Sequence, residues 1–312
     1  MTDDLQRRWP GHGPWDEVWF LELPLPGGGT AWLRYTLADG PHRRGLTTWA
    51  IVTTPDGRQL AEQSTHALSS LHPRDAVRTD TLVLSRTQAR GRAGQVRWDL
   101  VLERGPRRHR MVPAIVEALG VGRTYTVPGF DLRVSGTLTA GDDRWTLTDA
   151  PAVLGHIWGA TNRTRAWAWL HAHFPSDDVL VECLSAELGP LPPLTSLGIW
   201  IGDEHLDLSG ARHLMRASTA RDDTPGAERF SLTTWTRKAR ISLTATLPPS
   251  PRAVVRYLDP GDGDERQCTN SGRAHVTLTV ERGHRTDRFV TDHAAFELAR
   301  RGAPTAPVLL SD

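Results

Sequence analysis

At 312 residues, with 38% hydrophobic content and a mean hydropathy of −0.39, the chain has room for about two packed cores and is too apolar to be a disordered segment. Its 37 basic and 36 acidic side chains leave a formal charge of +1, which removes any electrostatic case for nucleic acid as a partner. Two widely separated cysteines, Cys183 and Cys268, make no disulfide scaffold and suit a reducing compartment.

The segment from Trp9 to Trp15 is too rich in proline and glycine for regular structure. Period-two alternation begins at Asp16, with Val18 and Phe20 on one face and Trp19, Leu21 and Leu23 on the other. A Pro/Gly turn at 24–29 leads to a second strand over 31–37, and further strands are expected at 47–53, 60–68, 81–85, 95–103, 130–139 and 144–148. Residues 111–119 are the one helix-like piece of this half, and Pro113 weakens it. The second half predicts strands at 166–174, 179–188, 195–201, 205–208, 230–236, 240–247, 253–258 and 274–280. Asp259-Pro-Gly-Asp-Gly263 reads as a hairpin turn, with a calcium loop as the sharper reading of the same residues. Residues 292–301 read as a short C-terminal helix, capped by Asp292, apolar at Ala295, Phe296, Leu298 and Ala299, and stopped by Gly302.

About 16 short strands with almost no helix predict an all-β fold. Trp19-Phe-Leu-Glu-Leu, a turn and Ala31-Trp-Leu-Arg-Tyr are echoed by Trp169-Leu-His-Ala-His-Phe, a turn and Val179-Leu-Val-Glu-Cys, as if each opened its own unit. Two tandem β-barrels follow, residues 1–155 and 156–312, each with space for side chains or one small ligand.

Twelve tryptophans against three tyrosines is the anomaly of the composition, and it points to large cores or to a cavity for a bulky apolar ligand. Three of them, with three histidines, stand within twenty residues in mid-chain, in Gly155-His156-Ile-Trp158-Gly159 and in Trp167-Ala-Trp169-Leu-His171-Ala-His173-Phe174. Strand alternation puts Trp167, Trp169, His171 and His173 on one face and Ala168, Leu170 and Ala172 on the other. The first face suits a cavity wall with hydrogen-bonding points, the second an ordinary core. His-x-His with Glu182 as a third ligand is the competing metal reading, and histidines with purely structural bonds are the plain one. Trp158 and His156 read either as the cavity rim or as a packed corner, Asn162 lies in the loop between the two motifs, and Trp19 joins the candidate ligand contacts through the echo.

Among acids inside strand patterns, Glu62 with His66 and Glu182 with His171 are the pairs to follow. A carboxyl facing an aromatic cavity is pushed toward its protonated form and can protonate an alkene, with indole faces sheltering the cation. Glu182, His171 and Glu62 are therefore the catalytic candidates. No Gly-rich phosphate loop, nucleophile elbow, His-Glu-x-x-His or CxxC pair is present.

These words, with Tyr257-Leu-Asp259-Pro260 and Cys268-Thr-Asn270-Ser271-Gly, resemble the lipocalin-like superfamily of tocopherol cyclase and carotenoid hydratase (hydroxyneurosporene synthase), to which the fungal intramolecular Diels–Alderases are similar. The resemblance implies paired lipocalin-like barrels, a hydrophobic pocket in or between them, isoprenoid or polyketide-like substrates, and acid catalysis with no metal or organic cofactor. A non-catalytic carrier of a hydrophobic small molecule is the alternative on the same fold. No signal-peptide pattern follows Met1, so a cytoplasmic location is expected. No stretch approaches the roughly 18 apolar residues of a membrane span; peripheral membrane contact and oligomeric state stay open.

Overall fold

The computed structural model describes residues 4–72, 75–118, 122–160, 164–189, 192–224, 226–302 and 308–311. Eleven strands form the first sheet. They are β1 (Trp15–Leu25), β2 (Gly29–Asp39), β3 (Arg44–Thr53), β4 (Gln59–His66), β5 (Val77–Arg78), β6 (Val83–Leu84), β7 (Gln88–Ala93), β8 (Val96–Arg104), β9 (His109–Arg110), β10 (Thr124–Ala140) and β11 (Asp143–Gly159). Eleven more form the second. They are β12 (Ala166–Phe174), β13 (Val179–Glu187), β14 (Leu194–Ile201), β15 (Glu204–Asp207), β16 (Ser218–Asp222), β17 (Arg229–Trp235), β18 (Arg240–Thr246), β19 (Ala253–Leu258), β20 (Glu265–Arg282), β21 (Arg285–Arg301) and β22 (Leu310–Ser311). Two short helices, α1 (Ala114–Ala118) and α2 (Ala211–Leu214), lie outside the sheets. Among the described residues no helix is long and apolar enough to cross a membrane.

Both sheets are built on antiparallel meanders closed in the same way, and the second also carries one parallel pair, β19 with β22. The first strand of each pairs with the last strand of a long hairpin, β1 with β11 and β12 with β21, and the hairpins β10/β11 and β20/β21 carry 17 or 18 residues per strand. This is the architecture of two lipocalin-like barrels, and the echo between residues 19–35 and 169–183 marks the opening pair of each sheet.

Three cores result. One fills the first sheet around Trp19, Leu33 and Tyr35, and one fills the second around Leu170, Phe174 and Phe296. The third lies between the sheets, built from Phe20, Trp32, Trp49 and Val153 of the first and from Trp169, Leu180 and Ala299 of the second. Strands that serve the third core are buried on both faces, as in β2, where every residue is buried; β8 and β17 alternate because one of their faces meets water.

The expected C-terminal helix is corrected by this arrangement. Residues 292–301 belong to β21, held by β12 on one side and β20 on the other. Phe296 and Leu298 enter the second core, while Ala295 and Ala299 enter the core between the sheets. Apolar side chains on both faces of one strand imitate the density of a helical stripe.

Candidate functional site

The seam between the sheets holds two cavities, of about 300 Å3 and about 230 Å3. The outward face of β1 runs along both, with Asp16, Val18 and Phe20 at the first and Glu22 and Pro24 at the second. Facing it, β12 contributes Trp167 and Trp169 to the first and His171 and His173 to the second. Period-two geometry thus splits one strand face between an aromatic chamber and an imidazole chamber. Gly155 sits opposite Phe20 across the β1/β11 pair, where an added Cβ would come within 2.2 Å of the ring; glycine there lets the phenyl lie over the strand and line the first cavity.

Aromatic rings wall the larger cavity. Trp167 stacks near Tyr257 at 6.0 Å between centroids, Tyr257 stacks on Trp49 at 5.8 Å, and Phe20 meets Trp169 edge to face at 5.1 Å. The two indoles of β12 also hold two acids from the flanking strands. Trp167 Nε1 donates to Glu297 Oε1 on β21 at 2.7 Å, and Trp169 Nε1 donates to Glu182 Oε1 on β13 at 2.5 Å.

Glu297 lines the larger cavity at only 8% exposure. Burial pushes its carboxyl above the usual range; the Cys268 thiol, the Trp167 indole and the Arg34 charge pull the other way without cancelling it. Asn270, beside Glu297 in the β20/β21 register, donates to Glu22 Oε1 at 3.4 Å. Glu22 faces the smaller cavity, and its own carboxyl is driven well upward, chiefly by burial.

Glu182 is fully buried and lines neither cavity, yet it is bonded toward both. Oε1 accepts the Tyr125 hydroxyl and the Trp169 N–H, both groups of the larger cavity, while Oε2 is 2.8 Å from Nδ1 of His171, which lines the smaller one. Burial, then the charge of Glu182, raises the Tyr125 phenol well above its ordinary value. His173 is lowered to about 4, by burial and then by the charges of His171 and Arg133.

The sequence candidates therefore divide. Trp167 and Trp169 line the larger cavity, His171 and His173 the smaller, and Glu182 joins them through hydrogen bonds. Trp19, His156 and Trp158 line neither, because alternation turns them to the opposite faces of β1 and β11. Trp19 stacks on His156 at 4.8 Å, and His156 is bonded to Glu17 and to the Asp4 carbonyl. Glu62 lies on edge strand β4 against the turn at Gly94, away from both cavities. Asn162 falls outside the described residues. Glu297, Tyr125 and Arg34 escaped sequence reasoning, whereas Glu22 stood among the acids inside strand patterns. Their neighbours Tyr257, Cys268 and Asn270 had stood in the family-like words, which was the available signal. No metal site emerges from His171, His173 and Glu182: Nδ1 of His171 is taken by Glu182, and the described residues contain no group of three or more metal-binding side chains. Asp259 uses Oδ1 to accept the Gly261 and Asp262 amides, as an acidic turn does.

No family model and no curated protein matches this sequence. Solved structures do. An AttH-like protein from Nitrosomonas europaea superposes with a TM-score of 0.62 at 14% identity, covering 96% of this chain and 95% of the other. Kievitone hydratase from Nectria haematococca gives 0.58 at 10% identity, covering 96% and 92%. CghA in complex with Sch210972 gives 0.62 at 10% identity, covering 92% and 88%. The likeness shows the fold alone, that of paired lipocalin-like barrels.

Proposed function

We propose that the chain is an enzyme of the cyclase, hydratase or isomerase kind, working on an isoprenoid or polyketide-like small molecule by acid catalysis without a cofactor. One observation carries the reading: a buried carboxyl with a raised pKa, Glu297, lines a cavity that indole, phenol and phenyl rings also line. Kievitone hydratase and CghA, which share the fold, support a small-molecule substrate.

In this reading Glu297 gives its proton to an alkene carbon of the bound substrate. The π pair forms the new C–H bond, and the cation at the neighbouring carbon lies against the faces of Trp167, Trp169 and Tyr257. Attack by water gives a hydratase, and attack by a second alkene of the same folded chain gives a cyclase. Tyr125 takes up the proton released when the cation is quenched, as its own passes to Glu182. Water restores both acids between turnovers.

The test is turnover in deuterium oxide with a panel of linear prenylated phenols and polyenes, read by mass spectrometry. One deuterium on carbon per product is expected, with Glu297→Gln slowing turnover by about 100-fold or more while still binding ligand. Products without deuterium, or a Glu297→Gln enzyme of full activity, sink the acid mechanism. Tight binding by the wild type with no turnover on any member of the panel turns the reading to a carrier.

A further inference from the structure

The smaller cavity takes no substrate in the reaction proposed above, yet its inner wall carries costly groups. Glu22, Thr30, His171 and Thr291, from strands of both sheets, line it, and each is 9% exposed or less. Polar side chains buried so deeply are expensive where their bonding capacity goes unused, and leucine or valine in their places would close the hollow more cheaply.

Protein partners take up only part of that capacity. Nδ1 of His171 is bonded to Glu182 at 2.8 Å, so Nε2 is the ring nitrogen left to the hollow. Oε1 of Glu22 accepts the Asn270 amide at 3.4 Å. Thr291 Oγ1 accepts the His293 amide at 3.3 Å, which leaves its hydroxyl hydrogen to donate. Beside these groups the wall is apolar: Phe130 meets the His171 ring edge to face at 5.7 Å, and Val153 and Leu180 continue the surface. Charge is kept to the rim and answered there. Arg107 donates to both carboxylate oxygens of Asp178 at 2.9 Å and to the Gly202 carbonyl at 2.8 Å. Burial raises the Asp131 carboxyl, and the charges of Arg107 and Arg133 bear on it from the same rim. Deeper in, Glu22 is driven well above the usual carboxyl range, chiefly by burial, and His173 is lowered to about 4, first by burial, so neither carries charge at neutral pH. An ion entering here would shed its water with neither group to compensate it.

We infer that the smaller cavity is a second ligand site, for an uncharged alcohol or phenol of about one ring, with its hydroxyl bonded by Glu22 and His171 and its apolar body laid against Phe130, Val153 and Leu180. The volume of about 230 Å3 is ample, since about 150 Å3 holds benzene. A hydroxyl accepts and donates at once, which suits a protonated carboxyl and an imidazole nitrogen together. This site stands whether or not the larger cavity is catalytic.

Toluene, p-cresol, p-toluate and 4-methylbenzylammonium share one ring and differ in the group it carries. Titrated at neutral pH into protein with nitrogen-labelled histidine, they are read by the NMR signals of the His171 and His173 ring nitrogens, which line this cavity and not the larger one. p-Cresol should shift both signals and bind at least about tenfold more tightly than each of the other three. Glu22→Leu should bring p-cresol down to the level of toluene and leave toluene unchanged. Glu22→Gln, which keeps an N–H donor in the same place, should hold p-cresol within a few-fold of the wild type. Toluene binding as well as p-cresol, a preference for either ion, or a p-cresol advantage that survives Glu22→Leu overturns the inference. Silence of both histidines toward all four probes overturns it too and leaves the cavity to water.

Discussion

Two histidine–glutamate pairs are buried among the described residues, and they stand in opposite surroundings. His156 and Glu17 are both fully buried and 2.9 Å apart. The other imidazole nitrogen is 2.6 Å from the Asp4 carbonyl, and Glu17 also accepts the amides of Arg8 and Trp9 and the indole N–H of Trp15. The segment leading into β1 supplies most of these partners, so the pair fastens that segment against the first sheet. His171 and Glu182 are 2.8 Å apart and have the same chemistry, but their remaining partners face cavities: Tyr125 and Trp169 look into one, and the imidazole itself lines the other. An identical pair of side chains fastens a segment where its neighbours are backbone and borders cavities where its neighbours are hollow.

That contrast breaks most visibly under truncation. Glu17→Ala leaves His156 and two amides without an acceptor and should cost about 3–5 kcal/mol of stability in chemical denaturation; a loss below 1 kcal/mol would mean the fastening is idle. Acid should then distinguish the two regions. His109, which packs through Phe130 toward His171, is held by burial at about 4 against an ordinary 6.5. A histidine lowered in the fold takes up its proton first in the unfolded chain. Its contribution is therefore intact above pH 6.5 and falls away as pH drops toward 4, by up to about 3 kcal/mol. His173 adds to the same window. Urea midpoints between pH 7 and pH 4 check this, and His109→Phe should flatten the slope.

Activity is the next and smaller effect. Glu182→Gln keeps the size of the side chain but loses the charge that orients Tyr125 and His171, and should lower turnover about 10- to 100-fold while stability falls less than in Glu17→Ala. A Glu182→Gln enzyme with normal turnover would place Glu182 among the purely structural acids. Smallest of all, Trp158→Phe should leave apolar ligand affinity within about twofold, whereas Trp167→Phe, which frees Glu297 of its indole donor, should change affinity and turnover together. Equal responses at the two positions would erase the distinction between the faces.

Much of this was legible in one dimension. Alternation exposed the strands, the echo exposed the repeated opening, and the two faces of 167–173 fell as their side chains required, with Ala168, Leu170 and Ala172 in the second core. Two things were hidden. A strand buried on both faces has no alternation left to read, which is why β21, and Glu297 with it, resembled a helix. Proximity between strands far apart in sequence was also invisible: Trp167 and Glu297 meet over a separation of 130 residues, and only the pairing of β12 with β21 brings them together. His156 and Trp158 misled for the converse reason, since glycine-flanked aromatics look alike whether they border a hollow or cover the end of a barrel.

The core shared between the sheets has a practical consequence. A cut in the connection between Gly159 and Ala166 would leave each fragment with its own curled sheet and one adhesive aromatic flank, Trp32 and Trp49 on one piece and Trp169 on the other. Produced separately, the pieces should seek each other out, and ligand binding would return only on reassembly, because neither fragment holds a whole cavity. The molecule is thus a ready-made pair for fragment complementation, with the seam as its reporter.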